Sequence, residues 1–189
     1  MQNANKDDII KEVISWIKTI VFAVVFALLI TQFVIVNAKV PTGSMKDNIN
    51  EGDRLIAFRL AYINSGPKRF DIVVFRFPDD RTQLYVKRVI GLPGDTVAIR
   101  DGKVYINGSD VPLDDSFVRE VQLPDASNFP TVTVPANSYF MLGDNRTNSA
   151  DSRVWNNKFV VKSDILGKVL FRYYSGDSEQ PWFKILYNT

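Results

Sequence analysis

The chain has no histidine and no cysteine. Without histidine no Ser-His-Asp triad can be built. Without cysteine there is no Cys-His pair, disulfide, thiolate nucleophile or sulfur-ligated metal. A metal site would rest on carboxylates alone, a poor donor set for zinc or iron, so neither a metal nor any other cofactor is expected. The net charge of +2 leaves no electrostatic footprint for a nucleic-acid partner, and none is expected. A covalent hydrolase on this chain must therefore pair a hydroxyl nucleophile with another base, and a lysine kept neutral by its surroundings can fill that role.

What is present begins with a long uncharged run. Residues 19–36 read TIVFAVVFALLITQFVIV, and Thr19, Thr31 and Gln32 are the only polar members. As a helix this run would rise about 27 Å, close to the thickness of a bilayer core. Lys18 and Trp16 stand at one end, where a snorkelling amine and an interfacial ring belong. No polar face recurs at helical spacing, which argues against a buried core helix. Val36-Asn37-Ala38 looks like a small-residue cleavage site, but the apolar core of a cleaved leader is shorter, about 7–15 residues. The expected organisation is a tail over 1–18, a transmembrane helix over 19–36 and one folded domain over 37–189. Charge leaves its sidedness undecided, because Lys6, Lys11 and Lys18 before the run balance Lys39, Lys46 and Arg54 after it.

Beyond residue 40 the sequence predicts strands. Candidates are Arg54–Leu60, Phe70–Phe77, Leu84–Ile90, Thr96–Arg100, Val104–Ile106, Ser138–Leu142 and Ile165–Tyr174, rich in Val, Ile, Phe and Tyr and bounded by turn formers. Asp101-Gly102 predicts a tight hairpin and Asn107-Gly108 a further turn. Residues 111–135, polar and proline-punctuated, predict an excursion between strands. No long segment after the run shows a helical period. The fold class is all-β, preceded by one N-terminal transmembrane helix.

Three short segments carry chemistry. In Leu84-Tyr85-Val86-Lys87-Arg88-Val89-Ile90, strand alternation places Tyr85, Lys87 and Val89 on one face. Burial there would disfavour the ammonium and make Lys87 a base, whereas on an edge strand it would be a surface lysine. Pro41-Thr42-Gly43-Ser44-Met45 offers a hydroxyl after a permissive glycine, with a second hydroxyl at Thr42, although it is also ordinary turn chemistry. Gly143 to Arg153 is dense in hydrogen-bonding groups and pairs opposite charges at Asp151 and Arg153; it reads as a solvated loop or as a support for a catalytic lysine.

Together these segments, with Gly52-Asp53-Arg54 and Gly91-Leu92-Pro93-Gly94-Asp95, resemble the bacterial type I signal peptidases, in the order that family has them. The single apolar run is similar to the small Gram-positive forms. The resemblance implies a small β-barrel or β-ribbon catalytic domain that removes amino-terminal signal peptides from exported preproteins through a Ser-Lys dyad and an acyl-enzyme. It implies Ser44 as nucleophile, Lys87 as general base, and the Ser44 N–H and Thr42 hydroxyl as oxyanion donors. It implies Ser149 as the residue that orients the lysine, Asp151 with Arg153 as a structural ion pair, and Asp144 as the partner of Arg88. Val40, Met45, Tyr85 and Val86 match the shallow apolar subsites that take small residues before the cut. The family's placement implies a single pass through the cytoplasmic membrane, an N-terminus in the cytoplasm, an external catalytic domain, and proximity to the lipid bilayer and the export machinery. Tyr173, Tyr174, Trp182 and Phe183 are candidates for contact with the bilayer or for packing.

Two positions depart from the family pattern. Lys46-Asp47-Asn48-Ile49 lacks the proline that usually follows the nucleophile closely, and Thr147 stands where an aspartate is common. Three rivals remain in view. A self-cleaving repressor with a related dyad would need a helix-turn-helix where this chain has its apolar run. A paralogue specialised for one substrate and a membrane-anchored, non-catalytic binding module keep the same sequence features.

Overall fold

The apolar run folds as a helix but stops short of its own end. The computed structural model describes residues 6–46, 48–118 and 128–186. Helix α1 spans Lys6–Phe33, and Asp8–Phe33 is long and apolar enough to cross a membrane. It begins well before residue 19, and it ends three residues before Val36. The last three residues of the expected span are β-branched, and Ile35–Lys39 forms strand β1 instead. The chain divides into two compact units, residues 1–35 and residues 36–189.

The second unit is β-rich, and among its described residues the helical pieces are short 3-10 turns. Strands β2 (Arg54–Phe58), β3 (Ile72–Phe77), β4 (Asp80–Gly91), β5 (Thr96–Arg100) and β6 (Lys103–Ile106) follow β1. After them come β7 (Phe129–Thr133), β8 (Ser138–Leu142), β9 (Val160–Val161), β10 (Ile165–Tyr174) and β11 (Lys184–Ile185). The main sheet runs β1-β2-β10-β3-β4-β8-β9, with β11 also paired to β10, and a second sheet runs β6-β5-β7. Three of the expected strands, Thr96–Arg100, Ser138–Leu142 and Ile165–Tyr174, have the predicted bounds. Arg54–Leu60 is shorter, because Arg59–Tyr62 turns as a 3-10 helix. The excursion contains β7, which pairs with β5; its residues 119–127 lie outside the described ones. Asp101 and Gly102 both take positive φ, 49° and 73°, as a two-residue hairpin of primed type requires.

Register places the chemistry centrally. Lys87 lies opposite Val73 of β3, and the next residue, Arg88, opposite Leu142 of β8. Among the described residues, apolar side chains pack in three clusters. One joins Val36, Val40, Met45 and Ile49 to β2, β3 and β10. The second lies between the two sheets around Ile90, Val97, Phe140 and Leu142. The third gathers Val73, Phe75, Val89 and Met141 with Trp155.

Candidate active site

Lys87 is on a strand paired on both sides, so the edge-strand alternative does not apply. Its side chain is buried, with 3% of the residue exposed, and Ser44, 8% exposed, approaches from the turn after Val40. Lys87 Nζ and Ser44 Oγ are 2.5 Å apart. Burial pushes the lysine pKa down from 10.5 to about 8; Asp151 and Asp144 pull it up, and Arg153 pushes it down. Nζ also lies 5.5 Å from the centroid of the Tyr85 ring. The Thr42 hydroxyl is 3.4 Å from Ser44 Oγ, close enough to turn toward an oxygen bound at that position.

Local sequence explains how Ser44 is held. Val40 is fixed at both ends of its peptide: its N–H donates to the Asp53 carbonyl and its carbonyl accepts from Gly52 N–H. Ile49 N–H donates to the Met45 carbonyl and closes the turn behind Ser44. The buried Asp53 carboxylate accepts from the N–H groups of Asn50 and Gly176 and from Arg172, which anchors the far end of the same loop. From the other side, Asn145 N–H donates to the Ser44 carbonyl and Asn145 Nδ2 to the Gly43 carbonyl, each at 3.1 Å. A Cβ at Gly143 would collide with that Ser44 carbonyl oxygen and with Ser149 Oγ, so this close approach needs glycine.

Behind Ser44 and Lys87 lie two ion pairs, one foreshadowed by the opposite charges at Asp151 and Arg153, the other, Arg88 with Asp144, implied by the family resemblance. Arg88 makes a two-pronged bond to Asp144, at 2.8 and 2.6 Å, with both side chains buried. Arg153 grips Asp151 at 2.8 and 2.9 Å, and Asp151 also accepts from Gly143 N–H. Ser149 differs from expectation. Its Oγ is buried without a hydrogen-bond partner among the described residues, so the structure does not bring it into hydrogen-bond contact with Lys87.

Among the described residues of the two departures, Asn48, Ile49 and Thr147 find partners or the core. Asn48 is buried and its Nδ2 donates to Asp144 and to the Phe117 carbonyl, while Ile49 enters the core. Asp47 lies outside the described residues. Thr147 is exposed and bonds to Asn145. Of the other residues sequence reasoning missed, Asn145 lay inside a matched segment without an assigned role. Phe117 stacks over the Arg88 guanidinium, 4.0 Å away, and Asp115 pairs with Arg146. Both come from the excursion, where no local signal marks them.

Ser44 and Lys87 open into a groove of about 610 Å³. All four expected subsite residues, Val40, Met45, Tyr85 and Val86, line it, together with Thr42, Ser44 and Lys87. Asn37, Gln83 and Leu84 extend it along β1 and β4. No group of three or more Asp or Glu suited to a metal ion occurs among the described residues. Tyr174, Trp182 and Phe183 are exposed, and Tyr173 donates its hydroxyl to Asn37.

This geometry can be set beside known proteins. The family described as signal peptidase, peptidase S26, matches residues 13–174. The chain belongs to this family. Signal peptide removal by a serine peptidase is the activity that membership supports. Signal peptidase I of Leptolyngbya laminosa is 38% identical over 165 residues, covering 84% of this chain and 78% of the relative. Signal peptidase I of Bacillus licheniformis is 39% identical over 145 residues, covering 73% and 76%. A Staphylococcus aureus relative named inactive signal peptidase IA is 30% identical over 169 residues, covering 87% and 93%. A crystal structure of a signal peptidase I from Enterococcus faecalis aligns with a TM-score of 0.43 at 38% identity, over 54% of this chain and 95% of that one.

Proposed function

We propose that this chain is an active, membrane-anchored endopeptidase that cuts signal peptides from exported preproteins with a Ser44–Lys87 dyad. The observation that carries this is the 2.5 Å contact between a buried serine oxygen and a buried lysine nitrogen at the wall of an open groove. A relative named inactive makes that contact the deciding feature, because family membership alone does not guarantee turnover.

The chemistry follows from the contact. In its neutral form the Lys87 amine accepts the Ser44 hydroxyl proton as Oγ attacks the carbonyl of the scissile peptide bond. Negative charge gathers on the carbonyl oxygen, and the Ser44 N–H and Thr42 hydroxyl donate to it. Lys87 returns the proton to the leaving amine, the mature protein departs, and the signal peptide stays esterified to Ser44. Water, deprotonated by Lys87, then releases it. Asp151 with Arg153 and Asp144 with Arg88 fix the loop and strand that bring the two reacting groups together. Val40, Met45, Tyr85 and Val86 accept small side chains before the cut.

Helix α1 anchors the enzyme in the cytoplasmic membrane as a single pass, with a cytoplasmic N-terminus and the catalytic unit outside, near the export machinery. The test is cleavage of a preprotein by the full chain in detergent. Ser44→Ala and Lys87→Ala are each expected to abolish it. Turnover by Lys87→Ala at the wild-type rate, or none by the unaltered chain on several preproteins, would overturn the proposal. The second result would favour a non-catalytic binding module.

A further inference from the structure

Tyr85 is the aromatic wall of the groove nearest the dyad, yet it does not stand alone. Its ring is stacked on Phe77 at 4.5 Å between centroids and 3° between planes. Trp155 meets both rings edge-on, Phe77 at 5.4 Å and Tyr85 at 6.0 Å, and touches Phe75 at 6.0 Å. Trp155 is itself buried and does not line the groove. Its position is set by the loop behind Ser44 and Lys87, because its backbone N–H donates to the Asp151 carbonyl. Just beyond it, the N–H groups of Asn156 and Asn157 donate to Asp79, in the turn between β3 and β4. The segment after the catalytic loop thus grips the hairpin that carries Phe77, Tyr85 and Lys87.

Chemistry does not explain the choice of tryptophan here. The indole Nε1 is buried with no hydrogen-bond partner among the described residues, which costs stability. What the residue supplies is a large flat edge against two stacked rings. Under the Ser44–Lys87 proposal the attacked carbonyl belongs to the substrate residue just before the cut, which would put that residue's side chain beside Ser44 and Lys87, along the stretch of groove that Tyr85 lines.

We propose that Trp155 is a positioning residue that holds the Tyr85 ring at the groove wall and so limits the size of the side chain accepted immediately before the cut. The inference rests on the Ser44–Lys87 proposal and adds to it a residue outside the groove that governs selectivity within it.

The test compares two preproteins that differ only in Ala or Val at that residue, using the full chain in detergent. The wild type should favour Ala. Trp155→Leu leaves a gap beside Tyr85 and should narrow the Ala-to-Val ratio of kcat/KM by about tenfold, the scale of one methylene in an apolar pocket. Trp155→Phe keeps an aromatic edge and loses no hydrogen bond, so it should retain the ratio. Phe77→Leu frees the other side of the ring and should act like Trp155→Leu; it decides the matter alone if Trp155→Leu does not fold. Equal losses on both substrates, with the ratio intact, would overturn the inference and mark Trp155 as structural only. No cleavage of either substrate by the wild type would overturn the dyad proposal and this inference with it.

Discussion

Replacing Lys87 with methionine should inactivate the enzyme and stabilise the fold. The lysine pKa falls from 10.5 to about 8 in the native state because the side chain is buried. That displacement, at about 1.4 kcal/mol per pKa unit, is about 3 kcal/mol. The sign follows from proton binding. The unfolded chain binds this proton more tightly than the native one, so below about pH 8 the lysine destabilises the native state by the full amount. Between about 8 and 10.5 the cost fades, and above 10.5 both states are neutral and it is gone. Methionine has a similar length, no proton and no charge. Against the relief stands the loss of the bond to Ser44, worth about 1 kcal/mol. Lys87→Met should therefore be more stable by about 2 kcal/mol at neutral pH, or about 4–8 °C in Tm for a domain of this size. At high pH its advantage should vanish and turn slightly negative. Denaturation of wild type and variant in detergent, across pH 7 to 11, isolates this group because the other titrations cancel. A variant less stable than wild type at pH 7, or a difference that does not change with pH, would refute the reasoning.

Other perturbations have defined outcomes. Gly143→Ala pushes a methyl group into the Ser44 carbonyl and Ser149, and steady-state kinetics should show kcat down by about a hundredfold, as misplaced reacting groups require. Asp151→Asn removes the charge that most raises the Lys87 pKa and leaves Arg153 to lower it further, so the acid limb of the pH–rate profile should move to lower pH. Asp144→Asn leaves the buried Arg88 short of its counter-charge, and denaturant titration should show a loss of about 3–5 kcal/mol.

What could be read from the sequence followed local signals. Thr96–Arg100, Ser138–Leu142 and Ile165–Tyr174 alternate or run apolar between clear turn formers, and their bounds came out as predicted. Strand β1 was hidden because its first residues continue the apolar run, so length and hydropathy assigned them to the helix. Strand β7 was hidden because Pro130 and its polar surroundings look like loop, and the strand exists by pairing with β5. The site shows the same division. Alternation fixed the face of Lys87 but not whether that face was dry, since an edge strand and a central one alternate alike; the motif resemblance supplied the expectation. The partners Asn48, Phe117 and Asp115 come together through contacts far apart in the chain, which no local pattern encodes. Ser149 is the residue that the resemblance assigned to orienting the lysine, and its Oγ is buried with no hydrogen-bond partner among the described residues.

The central claim is that Lys87 works as a neutral base at ordinary pH. The pH dependence of kcat/KM on a preprotein tests it most directly. With a pKa of about 8, the rate should rise about tenfold from pH 7 to 9 and level off above that, as the neutral fraction saturates. An acid limb that climbs without levelling until about pH 10 or beyond would mean a lysine with its ordinary pKa, and would contradict the account.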